Sequence, residues 1–331
     1  MRPVRLDRNQ PRGRFYRGGA RIAAFRDVPV QGEFEPEDWV GSTTEVAGEP
    51  GLGLSRLPDG ALLRDAIHAD PTAWLGSAHV AAFGSSTEVL TKLLDAGERL
   101  PVHIHPSREF AAEHLGHPHG KAEAWIYLTD GEAHIGFLPE VTREQVLPLL
   151  AAGETAPVLK LMHRLSVEAG DVVYCPPGIP HAIGGGSFMV EVQEPADLSI
   201  FLEWKDFPLP GGAGGHLGLD DATAAGAVVA GVQREVVEGF VCAGRGTRGD
   251  LLAGSDAPFR ADRLRAGDRL EAGFAVVIGV KGPAQLENEA GEVLRVQPGS
   301  TFVVPYAWGE AQVDVDENVE VVVARPPAPT S

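Results

Sequence analysis

Cysteine is nearly missing from this chain. The two present among 331 residues, Cys175 and Cys242, are too few for a disulfide framework, which excludes the small cross-linked secreted class. No run approaches the roughly 18 to 20 apolar residues of a membrane span. The arginine-rich stretch from Arg2 to Arg26 is broken by Asp7, Pro11, Gly18 and Gly19, so it lacks the apolar core of a secretory leader and reads as a solvated edge strand. Positive charge is also scarce. Lys and Arg number 28 against 46 Asp and Glu, a formal charge of −18, which argues against nucleic acid or an anionic membrane as partner. The expected setting is a reducing cytoplasm and the expected partner a small molecule; an anionic one needs a local cationic pocket.

With 44% hydrophobic and 22% charged residues the composition is that of a folded, globular chain, long enough for two domains. Gly 41 and Pro 26 make up about a fifth of it, which predicts many tight turns and short strands. Apolar runs between turns occur at Val89 to Leu94, Val102 to His105, Ala124 to Leu128, Ala133 to Leu138, Leu161 to Val167, Val172 to Cys175, Phe188 to Val192 and Leu198 to Trp204. One short helix is expected within TREQVLPLL, with Thr142 as N-cap and Gln145 three residues on. Extra strands and a short helix are expected before Ala73. PLPGGAGG, from Pro208 to Gly215, reads as a linker, and Asp220 to Ala230 as an alanine-rich helix. A second strand series follows at Glu235 to Val241, Phe274 to Val280, Ala284 to Leu286, Val293 to Val296, Thr301 to Val304 and Val319 to Val323, ending in the frayed tail PPAPTS. The reading is therefore mainly β with a few short helices: residues 1–210 form a first sandwich, 211–234 a linker and short helix, and 235–331 a second, smaller sandwich.

Two patterns carry chemistry. Gly97 is followed by five residues, His103, one residue and His105; on a strand, i and i+2 share a face, so both imidazoles enter one space. Gly170 is followed by five residues, Pro176, one residue, Gly178, two residues and His181, a corner that aims a third imidazole back at a facing strand. A carboxylate would complete a four-ligand site suited to Zn2+, Fe2+, Mn2+ or Ni2+. Glu109 and Glu123 are the two candidates. The segment from Gly299 to Glu310 repeats the second spacing but has Ala307 and Glu310 where the glycine and histidine would stand, and no H-x-H precedes it.

These patterns resemble the two motifs of the cupin superfamily, which implies a jelly-roll sandwich and a second, degenerate cupin repeat without a metal. Glu109 is the ligand a generic cupin implies, four residues after His105. VLTKLLDAGERLPVHIHPSREFA, GKAEAWIYL, VEAGDVVYCPPGIPHAIGGG and FMVEVQE are, further, similar to the type I mannose-6-phosphate isomerases. That resemblance implies a metal set of His103, His105, Glu123 and His181, with zinc as the usual ion. It implies catalytic roles for Lys121, as a positive charge, and for Glu191, as the base of an aldose–ketose isomerase acting on a sugar or sugar phosphate. Three departures stand out. His103 occupies a position usually held by glutamine, Pro101 replaces a serine, and Phe201 stands where the family has an arginine. A cupin dioxygenase or lyase and a non-catalytic sugar-binding cupin are the competing readings. His68, His79, His134, His163 and His216 read as surface or satisfied core residues, whereas His114, His117 and His119 lie in a loop close to the expected site. Arg260, Arg263, Arg265 and Arg269 read as a surface group.

Overall fold

The computed structural model describes residues 1–315 and 319–329; the last two residues of the expected tail, Thr330 and Ser331, lie outside them. Four antiparallel sheets form two sandwiches. In the first, a six-stranded sheet ordered Val241–Ala243, Val172–Cys175, Glu123–Tyr127, Phe188–Gln193, Leu90–Asp95 and Glu37–Val40 faces a five-stranded one ordered Ile200–Phe201, His103–Ile104, His181–Ile183, Gly131–Phe137 and Met162–Val167. The second sandwich pairs another six-stranded sheet, with Val4–Arg5 at one edge, and a four-stranded sheet.

The two six-stranded sheets lie back to back. On Glu123–Tyr127, Trp125 and Tyr127 point into the first sandwich, while Ala124 and Ile126 point the other way. There they join Leu93, Val190 and Val192 in one core with Val276, Ile278, Val303 and Val322 of the second sandwich. A strand buried on both faces needs no polar alternation, which is why this sheet appeared in the sequence as largely apolar runs, Lys92 and Glu191 being the charges among them. The second sandwich has its own inner core around Val277, Leu286, Val304 and Val313.

Most expected strands form within a residue or two of their predicted ends. The TREQ helix runs Arg143–Ala152, with Thr142 and Gln145 making the reciprocal cap, and Asp220 caps Asp221–Gly226. Glu235 to Val241 differs: Arg234–Glu238 is a short helix, and Val241–Ala243 pairs with Val172 and Val173 of the first sandwich before the chain enters the second. Arg234 and Glu238, i and i+4, pair at 2.9 Å across one helix face. Leu198 to Trp204 contributes only the two-residue strand Ile200–Phe201, and the helix Arg108–Leu115, capped by Ser107, was not anticipated.

The sequence reading fails at three arginines, while Arg2, Arg5, Arg12, Arg17 and Arg269 are exposed as expected. Arg263 is fully buried: its Nη2 donates to Gly170 O at 2.8 Å, its Nη1 to Gly244 O and Thr247 O, and its Nε to Glu320 at 2.8 Å, fastening the second sandwich to a turn of the first. At the N-terminus, Arg26 is paired with Asp38 in the interior and Arg14 is only 11% exposed. Solvation of arginines is an average tendency, and a guanidinium goes inside where several fixed acceptors converge on it. Replacing Arg263 with Met leaves three half-buried carbonyls and Glu320 without this donor, so Arg263→Met is expected to lower unfolding stability by about 3 kcal/mol. Urea denaturation would register this as a lower midpoint; an unchanged midpoint would refute the fastening role.

Candidate metal centre

The first sandwich brings the three motif histidines together. His103 and His181 are direct partners across two strands of the five-stranded sheet, and His105 follows just beyond the strand end. Ring centroids lie 4.2 Å apart for His103 and His181, and 4.9 Å for each pair involving His105. Gly178 shapes the corner that delivers His181. Its N–H donates to His105 O at 2.7 Å, its φ is +79°, and a Cβ there would stand 2.8 Å from Ala227 O. Only glycine meets both conditions without strain.

Each imidazole is oriented from behind. Nδ1 lies 2.8 Å from Pro101 O in His103, 2.7 Å from Leu198 O in His105 and 2.9 Å from Ile179 O in His181. A carbonyl only accepts, so each Nδ1 carries the proton and each Nε2 presents its lone pair to the shared space, the arrangement a metal-binding histidine needs. Cys175 Sγ also stands 3.4 Å from His181 Nδ1.

Glu123 enters from the opposite, six-stranded sheet. Its carboxylate oxygens lie 3.0 Å from His105 Nε2 and 3.1 Å from His181 Nε2, and Lys121 Nζ donates to it at 2.8 Å. Lys121 Nζ is also 2.7 Å from His105 Nε2. Gly120 permits this approach: the Lys121 N–H donates to Pro106 O, and a Cβ on Gly120 would meet the 106–108 backbone within 2.7 Å. Glu109, by contrast, is exposed in the first turn of Arg108–Leu115.

The electrostatics suit a cation. Burial alone would raise Glu123, but His105 and Lys121 outweigh it and hold the carboxyl well below its usual range. Burial pushes His103 well below its ordinary value and His105 down to about 3, so both stay neutral and free to donate a lone pair. At His181, by contrast, Cys175 and Glu123 outweigh burial and raise the imidazole to about 10, so a cation there must displace that proton. His181 Nε2 is buried without a hydrogen-bond partner, since its contact with Glu123 is close but misaligned for one. An orphaned, inward-facing Nε2 among two further imidazoles and a carboxylate fits a divalent metal ion.

Glu191 lies on Phe188–Gln193 with its side chain in the same cavity, directly across from Lys92, whose Nζ is 3.2 Å away. Burial raises the Glu191 carboxyl, and Lys92 offsets part of that. Lys92 also contacts Glu37 at 3.4 Å, and Glu37 accepts from Tyr16 Oη and Trp39 Nε1, both at 2.8 Å. Phe201 packs edge-on against Phe15, with centroids 4.9 Å apart, and 5.9 Å from the His103 ring. Sequence reasoning missed Arg14, Glu37, Lys92 and Asp197 around this cavity. The only available hint was the lysine in VLTKLL, a charge inside an apolar strand. The loop histidines 117 and 119 sit apart from the triad, with His119 paired to Glu88 at 2.8 Å. His79, His163 and His216 are buried and contact backbone carbonyls, as satisfied core residues do.

No family model matches the chain. Among curated proteins, the mannose-6-phosphate isomerase of Streptococcus mutans is 33% identical over 164 residues, 47% of this chain and 50% of that protein. Mannose-6-phosphate isomerase ManA of Bacillus subtilis is 35% identical over 122 residues, 36% of this chain and 38% of that one. The matched region thus spans half or less of the curated relatives. Solved structures match along the whole chain. Mannose 6-phosphate isomerase of Bacillus subtilis superposes with a TM-score of 0.73 at 19% identity over 98% of this chain and 100% of that one, and the apo form of the Salmonella typhimurium enzyme with 0.77 at 16% over 99% and 100%. At such identities the likeness is one of fold. The fold is a cupin-like sandwich that carries a candidate metal site, with a second sandwich behind it. Over the 164 matched residues the chain is similar to a mannose-6-phosphate isomerase.

The Glu123–Lys121 pair makes a test that does not depend on metal. Glu123→Gln leaves Lys121 buried without its carboxylate and is expected to destabilise the metal-free protein by about 3 kcal/mol. Glu109→Gln, on the surface, should stay within about 0.5 kcal/mol. Equal effects in chemical denaturation would contradict the placement of the two acids.

Proposed function

We propose that this protein is a metal-dependent aldose–ketose isomerase acting on a sugar or sugar phosphate, with interconversion of mannose 6-phosphate and fructose 6-phosphate as the first reaction to test. The observation that carries the reading is the convergence of three carbonyl-anchored imidazoles and Glu123 in a cavity also lined by Lys121 and Glu191. In this reading His103, His105, Glu123 and His181 hold the ion. Zinc is the first choice, because neutral nitrogens and one carboxylate match its preferences, with Fe2+, Mn2+ and Ni2+ as substitutes. The bound ion supplies a Lewis acid for the sugar's carbonyl and hydroxyl oxygens.

The chain's own residues do the proton work. Glu191 takes the proton from carbon 2 of the aldose, giving an enediolate with its charge on O1; the hydroxyl proton passes from O2 to O1, and Glu191 returns its proton to carbon 1 to give the ketose. A carboxyl raised by burial is the stronger base for that task. Lys121 places positive charge beside the oxygen that becomes negative. Lys92, across the strand from Glu191, holds the base in position and keeps it ionised at working pH. The relatives' metabolic activity on a small phosphorylated sugar and the lack of any helix long and apolar enough to cross a membrane among the described residues support a cytoplasmic setting.

Mannose 6-phosphate in D2O is expected to acquire deuterium at the exchanging carbon, with loss of the signal on chelation and its return with Zn2+. His181→Ala should lose stoichiometric metal, and Glu191→Gln should keep metal while losing at least a hundredfold in rate. Oxygen consumption by the iron-loaded protein with no deuterium uptake from any hexose or pentose phosphate would favour a dioxygenase instead. Because Glu191 is raised, it ionises only above the ordinary carboxyl value of 4.5, so kcat/KM should fall as pH drops through a limb above 4.5.

A further inference from the structure

The proposed reaction leaves one buried cation in the metal cavity without a task. Arg14 reaches that cavity from the N-terminal segment, far in sequence from either histidine motif, and lines it together with His103, Lys121, Glu123 and Glu191. Its partners are Asp197, contacted by Nη1 at 3.4 Å and Nη2 at 3.3 Å, and Glu37, contacted by Nε at 3.3 Å. Charge-assisted bonds of full strength run about 2.7 to 2.9 Å, so the guanidinium is held in place without being saturated. The rings of Phe15 and Trp39, at 5.5 and 5.9 Å, supply the rest of its support. Lys121 differs, since it sits 2.8 Å from Glu123.

Space points to the same residue. The metal cavity offers about 20 Å³, room for a water-sized group and not for a sugar. A second cavity of about 470 Å³ shares Asp197 with it, and hydroxyls of Thr43, Thr44, Ser85 and Ser86 line it alongside the imidazoles of His68 and His117. Hydroxyls and imidazoles suit a polyol. The Arg14–Asp197 pair thus stands between a cavity large enough for the body of a sugar and the cavity where its reacting carbons would meet the metal ligands.

We infer that Arg14 is a substrate-binding residue of this enzyme, whose guanidinium donates to the oxygen of the sugar that gains negative charge in the enediolate, with Asp197 aiming it. The inference rests on the isomerase reading above and names a group that reading leaves idle. The position is selective for chemistry over structure because a fork of N–H donors fits a pair of adjacent oxygens, whereas a single ammonium does not.

Arg14→Lys keeps one positive charge beside Asp197 and Glu37, so the fold should hold, while the fork is lost. Arg14→Lys is expected to lower kcat about tenfold and Arg14→Met about a hundredfold, both with wild-type metal content by elemental analysis. A five-carbon sugar hydroxamate, which mimics the enediolate, should bind Arg14→Lys about tenfold more weakly than wild type by calorimetry. If Arg14 only pins the N-terminal segment, Arg14→Lys will match wild type in kcat and in hydroxamate affinity. That result overturns the inference even should Arg14→Met fail to fold. Absence of deuterium exchange by the wild-type protein sinks the isomerase reading itself, whereas wild-type behaviour of Arg14→Lys in an active enzyme sinks only the role of Arg14.

Discussion

Three backbone carbonyls decide what this protein can hold. Pro101, Leu198 and Ile179 each accept the Nδ1 proton of one motif histidine, and each thereby fixes that ring's tautomer and rotation before any ligand arrives. Two of the carbonyls stand two residues before the histidine they hold and only Leu198 comes from afar, so local backbone shape sets two of the lone-pair directions and the sandwich the third. Gly178 matters for the same reason, because its N–H docks on the His105 carbonyl and so fixes the corner that delivers His181. A carboxylate from the opposite sheet then closes the space, and the site spans the interior of the sandwich.

Around these neutral nitrogens the cavity gathers charge in alternation. Lys92 lies between Glu37 and Glu191, Lys121 lies against Glu123, and Arg14 lies between Glu37 and Asp197. Such a lattice has a high cost of burial if any member is removed. It also keeps one acid, Glu191, shifted in the direction useful for proton transfer while another, Glu123, stays ionised. Two carboxylates in one cavity are thus driven apart in proton affinity by their neighbours, as the proposed roles of ligand and base require.

The parts of this arrangement differed in how openly the sequence showed them. The histidines were legible because strand period and corner glycines are local rules, and so was the strand series of the first sandwich. The choice between Glu109 and Glu123 was not local: four residues from His105 proved to be the exposed turn of a helix, while the acid eighteen residues on faces the triad from another sheet. Arg14 and Arg263 were misread as solvated because nothing in their neighbouring residues announces the carbonyls and carboxylates that converge on them from elsewhere in the chain. Phe201 was read as the loss of a guanidinium, and the structure puts there an aromatic wall against Phe15, one residue from the arginine that does enter the cavity.

The back-to-back sheets have a consequence for the portion of the chain that carries no metal motif. Ala124, Ile126, Val190 and Val192 alternate along the very strands that bear Glu123 and Glu191, and they are covered by the distal sandwich. Cutting that sandwich away would strip a greasy surface bare on the reverse side of those strands. The distal half therefore serves as a keel for the sheet that bears Glu123 and Glu191.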